Sequence, residues 1–366
     1  MDSIVASHLE RRSATAGSRS WRYYATFAVF LVVLVGGLYY VKWHPYYLRS
    51  FVAASQHSIG SSILTSGAST VPAPSWDAAL GYAIAYSKAI WQAMVLGLLI
   101  GSAVQAAVVP QRWIERLFGR HDFSGVAAGG LAAVPGMMCT CCAAPVVVGL
   151  RRAKSSVGSA VAFWLANPLL NPATLVFTGF VLGWQWVGLR VAFALLVVFG
   201  VAYLAQRLVG RAEAAPGEIG LAELPGVPEP TGGFLLRWGR ELWRLSIRLL
   251  PEYVIIVLAL GAARAWLFPA MPAEIGNDVL WIAFLAIAGT AFVIPTAGEV
   301  PIVQSLMALG VGSGPAAALL VTLPAVSVPA AVMVSRVLPQ RVVWFVATCV
   351  ALSGLACGLV ATLLRF

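Results

Sequence analysis

Hydrophobic positions in this chain come in long unbroken runs rather than in alternation or in a narrow helical stripe. Tyr23–Val41, Ala89–Val109, Trp186–Leu208 and Leu250–Phe268 are each close to the roughly 20 apolar residues that one helix needs to cross a bilayer. The strict in-and-out alternation of an outer-membrane barrel is absent. The pattern therefore predicts an all-α fold, a polytopic helical membrane protein. Tyr23–Val41 starts late and has no small-x-small cleavage site; Lys42-Trp43-His44 follows it. It reads as a retained anchor span, not a cleaved signal peptide.

Composition agrees with this class. The chain is 60% hydrophobic and only 10% charged, against about 25% charged residues in soluble domains. Most of its outside must then face lipid. The net charge of +10 reports lipid headgroups and topology and predicts no nucleic-acid partner. No P-loop pattern occurs, so ATP hydrolysis by this chain is not expected. The five cysteines do not follow a disulfide spacing. No cofactor is expected, and the chain does not read as an enzyme.

Basic clusters set the expected orientation. Arg11, Arg12, Arg19 and Arg22 keep the N-terminus in the cytoplasm; Arg112, Arg116 and Arg120, then Arg151, Arg152 and Lys154, mark loops on the same side. Residues 44–75 read as an external loop. Residues 211–232, rich in Glu and Pro, read as a cytoplasmic linker. The next stretch, with Arg237, Arg240, Arg244 and Arg248, reads as a basic amphipathic surface helix. The expected organisation is 1–76 (N-terminus, anchor span, external loop), 77–210 (first repeat), 211–232 (linker) and 233–366 (second repeat).

A constant register supports the duplication. Pro145 and Pro301, Leu150 and Leu306, Gly158 and Gly314, Ala160 and Ala316, and Pro168 and Pro324 each stand 156 residues apart. Arg151, Arg152 and Lys154 map onto Met307, Ala308 and Gly310, so the basic cluster has no charged counterpart. Loops on opposite sides would explain that loss. The expectation is two inverted-topology repeats with broken, re-entrant helices, plus one extra N-terminal span.

Pro, Gly and Asn break the apolar runs at Met138–Pro145, Asn167–Pro172, Pro295–Pro301 and Pro324–Pro329. Backbone groups freed at such breaks cannot be left in lipid, and paired breaks of this kind line midplane cavities in transporters. One break carries Met137-Met138-Cys139-Thr140-Cys141-Cys142, five sulfur side chains in six residues. Thiolates and thioethers are soft ligands suited to thiophilic ions. Cys139, Cys141, Cys142, Thr140, Asn167, Asn171 and Ser327 are the candidate substrate-binding residues, with Cys139 and Cys141 as the candidate metal or metalloid ligands. Cys349 and Cys357, in an unbroken span, read as packing residues. Glu299 is the sole charged residue between Val279 and Ser335. An intramembrane carboxylate is costly, and two roles are open to it: proton coupling, or capping of the helix that follows Gly298.

The stretch CTCCAAPVVVGLRRAKSSVGSAVAFWLANPLLNP (Cys139–Pro172) and the stretch PIVQSLMALGVGSGPAAALLVTLPAVSVPAAVMVSRVLPQR (Pro301–Arg341) resemble the predicted permease family that includes the trivalent organoarsenical efflux permeases. The resemblance covers about Ala89 to the C-terminus. It implies export of a small thiophilic solute across the cell inner membrane, with cysteines as soft ligands. By position, Cys139 and Cys141 match the family's spaced pair, and Cys142 is an extra thiol. After Asn171, where family members often carry a carboxylate, this chain has Pro172.

The combined expectation is a multi-pass inner-membrane permease. It would export trivalent organoarsenicals or related metalloid or heavy-metal species by alternating access, with proton coupling open. Its partners would be the solute and membrane lipid, and a homo-oligomer is compatible with the sequence. The rival is a membrane-embedded thiol oxidoreductase using Cys139, Cys141 and Cys142.

Overall fold

The computed structural model describes residues 25, 27–65, 71–106, 109, 111–209, 234–269 and 276–366. The expected cytoplasmic linker lies wholly outside these, as does most of the basic N-terminus. Every regular element among the described residues is helical. Seven helical stretches are long and apolar enough to cross a membrane, namely Phe27–Gln56, Trp76–Gln105, Val157–Val181, Trp184–Val209, Leu235–Leu267, Ser313–Val334 and Gln340–Leu363.

Helix α1 (Phe27–Gln56) contains one wide π turn at Tyr39–Trp43 and ends at left-handed His57. It overruns the sequence expectation, which ended the span at Val41 and gave residues 44–75 to a loop. Pro45 would normally clash with the carbonyl one turn before it. The extra residue of the π turn relieves that clash, so the helix continues to Gln56. Helix α2 (Trp76–Gln105) is capped by the Ser75 side chain. A short α3 (Gln111–Phe118) leads to α4 (Phe123–Ala133), capped by Asp122. The bonds from Arg120 and Ser124 hold the exposed Asp122 carboxyl well below the usual carboxylate range.

The remaining elements are α5 (Thr140–Arg152), α6 (Val157–Leu169), α7 (Pro172–Val181), α8 (Trp184–Val209, with a π-helical stretch at Leu196–Val201), α9 (Phe234–Leu267), α10 (Val279–Ala291), α11 (Glu299–Ala308), α12 (Ser313–Ala325), α13 (Val328–Val334) and α14 (Gln340–Leu363). The basic stretch expected as a separate surface helix is the first part of α9, which runs on through Pro251. At 1.5 Å per residue such a helix is about 50 Å long and overhangs a hydrocarbon core of about 30 Å. Helices α4, α6, α7 and α8 begin at residues 123, 157, 172 and 184, while α10, α12, α13 and α14 begin at 279, 313, 328 and 340, each 156 later.

Two contacts show how the broken segments run. Ser156 donates its N–H to the Phe118 carbonyl at 2.7 Å, and the Ser159 hydroxyl donates to the Gly125 carbonyl at 2.7 Å. The segment through α4 and α5 therefore leaves and returns at one end of the molecule. Gly314 donates its N–H to Asn277 Oδ1 at 2.8 Å, which closes the segment through α10 and α11 in the same way.

Helices α8 and α14 run in opposite directions. Gln206, near the end of α8, accepts from Gly158 N–H at 2.8 Å, close to the first closure. Trp186, near its start, stacks edge-on against Phe366, just past the end of α14, with ring centroids 5.3 Å apart. Val337, just before α14, accepts from Arg151 Nε at 3.4 Å.

Small residues set the closest approach. A Cβ at Gly97 or Gly101 of α2 would come within 2.2 Å of the Cys142 carbonyl oxygen or 2.3 Å of the Pro145 one. Bare glycine surface thus lets the cysteine-bearing α5 lie directly on α2, a packing mode common between membrane helices.

Candidate thiol site

The first break is a short 3₁₀ turn, Val134–Gly136, followed by left-handed Met137 (φ 48°) and extended Cys139 at the start of α5. The second contains left-handed Ala297 (φ 67°) before α11. Positive φ is uncommon outside glycine and costs energy that surrounding contacts must supply. Side chains from other elements meet several of the exposed backbone groups. Met138 N–H reaches Asn167 Oδ1 at 3.4 Å, and Trp43 Nε1 donates to the Pro135 carbonyl at 2.8 Å. The Tyr82 hydroxyl donates to the Val293 carbonyl, and Arg190 Nη2 to the Pro168 carbonyl at 3.1 Å. Such partners are what backbone at membrane depth requires.

The three clustered cysteines are free and buried. Cys139 and Cys142 lie one helical turn apart, and their sulfurs approach to 3.1 Å. The sequence pairing of Cys139 with Cys141 is not the contact made. Cys141 Sγ instead faces the Ser327 hydroxyl at 3.5 Å, and Thr140 Oγ1 lies 3.2 Å from that same hydroxyl. Ser327 precedes α13, so these polar groups join two segments 186 and 187 residues apart in the chain. Asn171 caps α7 through bonds from the N–H groups of Ala173 and Thr174, at 3.0 and 3.3 Å, while its buried Nδ2 has no partner. Asn167 Nδ2 donates to the Phe163 carbonyl at 2.9 Å. Asn167 therefore braces the break. Among the described residues no group of three or more His, Cys, Asp or Glu could hold a metal ion.

Glu299 lies in the first turn of α11 and accepts no bond from the backbone amides there, unlike a capping side chain. Its partner is Arg190 of α8, with Nη2 and Oε1 2.8 Å apart and both side chains shielded from solvent. Arg190 Nε and Nη1 and Glu299 Oε2 have no other protein partner. A cavity of about 10 Å³ is lined by Cys139, Thr140, Thr174, Thr296 and Glu299. The Cys139 thiol and the Glu299 carboxylate thus share one small space, about the volume one water molecule needs, while Cys141 and Cys142 do not line it.

The sequence reading missed two cations. Arg190 interrupts the apolar run Trp186–Leu208 near its start. Two isolated opposite charges in apolar runs are expected to find each other, and that was the available signal. Lys42 was noted only as following the first span. It is buried, donates to Thr296 Oγ1 at 3.1 Å and lies 3.4 Å from the Tyr46 hydroxyl. Thr296 lines the cavity that also holds Cys139, so α1 brings an ammonium to the edge of the thiol site.

A larger cavity of about 330 Å³ adjoins it, with Lys42, Tyr46, Arg49, Gln92 and Thr296 among its walls. A more voluminous space, about 760 Å³, is an apolar groove between α10, α13 and α14 with exposed Trp344 and Ile287 on its walls. No cysteine lines it, and its polar groups, such as Thr290, Ser335 and Gln340, are neutral.

The family model described as "Predicted permease" (ArsP_1) matches residues 75–363. The chain belongs to this permease family. It is 48% identical over 338 residues to UPF0718 protein YraQ of Escherichia coli (strain K12), covering 92% of this chain and 94% of that protein. It is 24% identical over 333 residues to UPF0718 protein MJ0584 of Methanocaldococcus jannaschii, covering 74% of this chain and 90% of that protein. No solved structure matches. The seven membrane-length helices and the family together make the chain a multi-pass membrane permease. Helix α1 and Lys42 lie outside the part matched by the family model.

Proposed function

We propose that this permease exports a small thiophilic solute across the cell inner membrane, with trivalent organoarsenicals and related metalloid or soft heavy-metal species as the favoured class. The observation that carries the reading is the 3.1 Å approach of Cys139 and Cys142 sulfurs on a helix break beside a cavity. Two thiolates bound at about 2.3 Å to one centre, at near a right angle, stand about 3.2 Å apart. The pair therefore needs little rearrangement to chelate. Cys141, Thr140 and Ser327 would complete the wall, and Asn171 Nδ2 has hydrogen-bonding capacity to spare.

Alternating access would rock residues 77–210 against 233–366 as inverted repeats. Three observations support this: the recurring element starts, the two closures of broken segments, and the opposite directions of α8 and α14. Arg116, Arg120, Lys154 and Arg207 gather toward the first closure, which supports a cytoplasmic location for that end under the positive-inside rule. Proton coupling is assigned to Glu299. The Arg190 pair is the contact that such coupling would break and remake.

A thiol oxidoreductase is the second reading, because the same sulfur contact suits disulfide formation. It requires an electron acceptor. Everted vesicles separate the two: transport predicts uptake of the thiophile into the lumen, and redox chemistry predicts a Cys139–Cys142 disulfide on turnover without uptake.

A further inference from the structure

The N-terminal helix α1 lies mostly on the periphery, yet it buries one charge beside the chemistry. Lys42 is 3% exposed, and its ammonium bonds only to hydroxyl groups, those of Thr296 and Tyr46. Among the described residues Lys42 makes no ion pair, and no carboxylate lines the 330 Å³ cavity it faces. The nearby Glu299 is taken by Arg190. A buried ammonium without a counter-charge is unfavourable, and either loss of its proton or the arrival of an anion relieves that cost.

The second cation of this cavity, Arg49, lies further along α1 and holds the Ile59 carbonyl at 2.9 Å. The cavity lies in the half of the molecule opposite the first closure. Gln304 of α11 donates to the His57 carbonyl at 2.8 Å, which ties the end of α1 to α11, whereas Phe27 near its start packs on Trp113 of α3. Pro295, Thr296 and Ala297 line both this cavity and the smaller one that contains Cys139. One turn of chain thus separates a positively charged vestibule from the thiols.

We infer that the vestibule binds a small anion through Lys42 and Arg49, and that the solute it serves carries a carboxylate, sulfonate or similar group together with its soft, thiol-seeking atom. The inference rests on the reading of the cysteines as soft ligands and deepens it. An anionic lipid headgroup shares the ligand chemistry. The soluble solute is favoured because Lys42 is buried within the protein, at a wall shared with the thiol cavity, rather than on the lipid-facing surface.

The test uses the full chain in phosphatidylcholine nanodiscs and two thiol reagents of similar shape. 4-(Hydroxymercuri)benzoate carries a carboxylate, and phenylmercuric hydroxide does not. Each forms a sulfur–mercury bond, with the thiol proton leaving with hydroxide as water. Labelling of Cys139 and Cys142 is followed by mass spectrometry. The anionic reagent should outpace the neutral one in the native chain. Lys42→Gln should cut that ratio about tenfold, the effect of roughly 1.4 kcal/mol of lost attraction, and Lys42→Arg should restore most of it.

A second measurement needs no variant: benzenesulfonate, which has no soft atom, should slow the anionic reagent, while neutral benzyl alcohol should not. An unchanged ratio in Lys42→Gln, or no effect of benzenesulfonate, overturns the inference. So does loss of the anionic preference in phosphatidylglycerol nanodiscs, because that result gives the cation to a lipid headgroup. These readouts report access to the thiols rather than transport, so failure of the export reading leaves them standing.

Discussion

Glu299→Gln is the most informative single change, because it keeps the side chain's size and one acceptor oxygen while removing the charge. In the native chain Arg190 Nη2 and Glu299 Oε1 are 2.8 Å apart and away from solvent. Two unit charges about 4 Å apart attract by about 4 kcal/mol at an effective dielectric constant near 20. Breaking a buried pair costs about 3–5 kcal/mol, because the remaining charge stays buried alone. No protein group stands ready to replace the partner, since Arg190 Nε and Nη1 already lack one. Glu299→Gln should then destabilise by about 3 kcal/mol, keeping one hydrogen bond to a charged donor. Arg190→Gln should cost a similar amount, and the double variant, with no charge left behind, well under the sum. Thermal unfolding of the purified full chain in nanodiscs, followed by exposure of buried thiols, reads this out. Each single variant should lower Tm by roughly 5–10 °C, and the cycle should show at least about 2 kcal/mol of interaction. Drops that simply add would mean the pair contributes nothing as a pair, and the argument for its role would fail. In everted vesicles Glu299→Gln should also lose dependence on the pH gradient; an unchanged dependence would remove Glu299 as the coupling residue.

Replacing Cys139 or Cys142 by Ser should abolish tight binding of a trivalent phenylarsenical, measured by intrinsic tryptophan quenching, whereas Cys349→Ser should leave it intact. Gly97→Ala should lower Tm and expression, because the new methyl would lie 2.2 Å from the Cys142 carbonyl oxygen; Gly81→Ala on the same helix, with open space around it, should not. Asn167→Ala should destabilise by about 1–3 kcal/mol in the same unfolding assay, the cost of an unpaired buried donor at Met138. A Lys154→Cys variant in a chain without native cysteines should react with an impermeant maleimide in everted vesicles but not in intact cells; the reverse would defeat the proposed orientation.

Much of the scaffold was legible because membrane folds write their constraints in plain composition. Uncharged runs gave the spans, and Asn-Pro and Pro-Gly pairs marked the breaks before α7 and α5. The extent of α1 was not legible: Pro45 argues for a helix end, and only a π turn, which has no simple sequence signal, carries the helix past it. The thiol partners were half legible. Cys139 and Cys142 meet because they are three residues apart on one helical turn, but that follows only once the helix is known to start there. Arg190 and Glu299 were each visible as lone charges, yet they are 109 residues apart, and their pairing depends on how α8 packs against the second broken segment. Lys42 was hidden for a similar reason: beside a span end, a lysine ordinarily snorkels to water, and only the tertiary fold turns this one inward.

The central claim is movement of a thiophile, and uptake into everted membrane vesicles tests it most directly. Vesicles containing the native chain, offered a panel of trivalent arsenicals, antimonite, Hg(II) and Cu(I), should accumulate at least one of them, and Cys139→Ser vesicles with matched protein content should not. Equal accumulation of every species by native and Cys139→Ser vesicles would contradict the account.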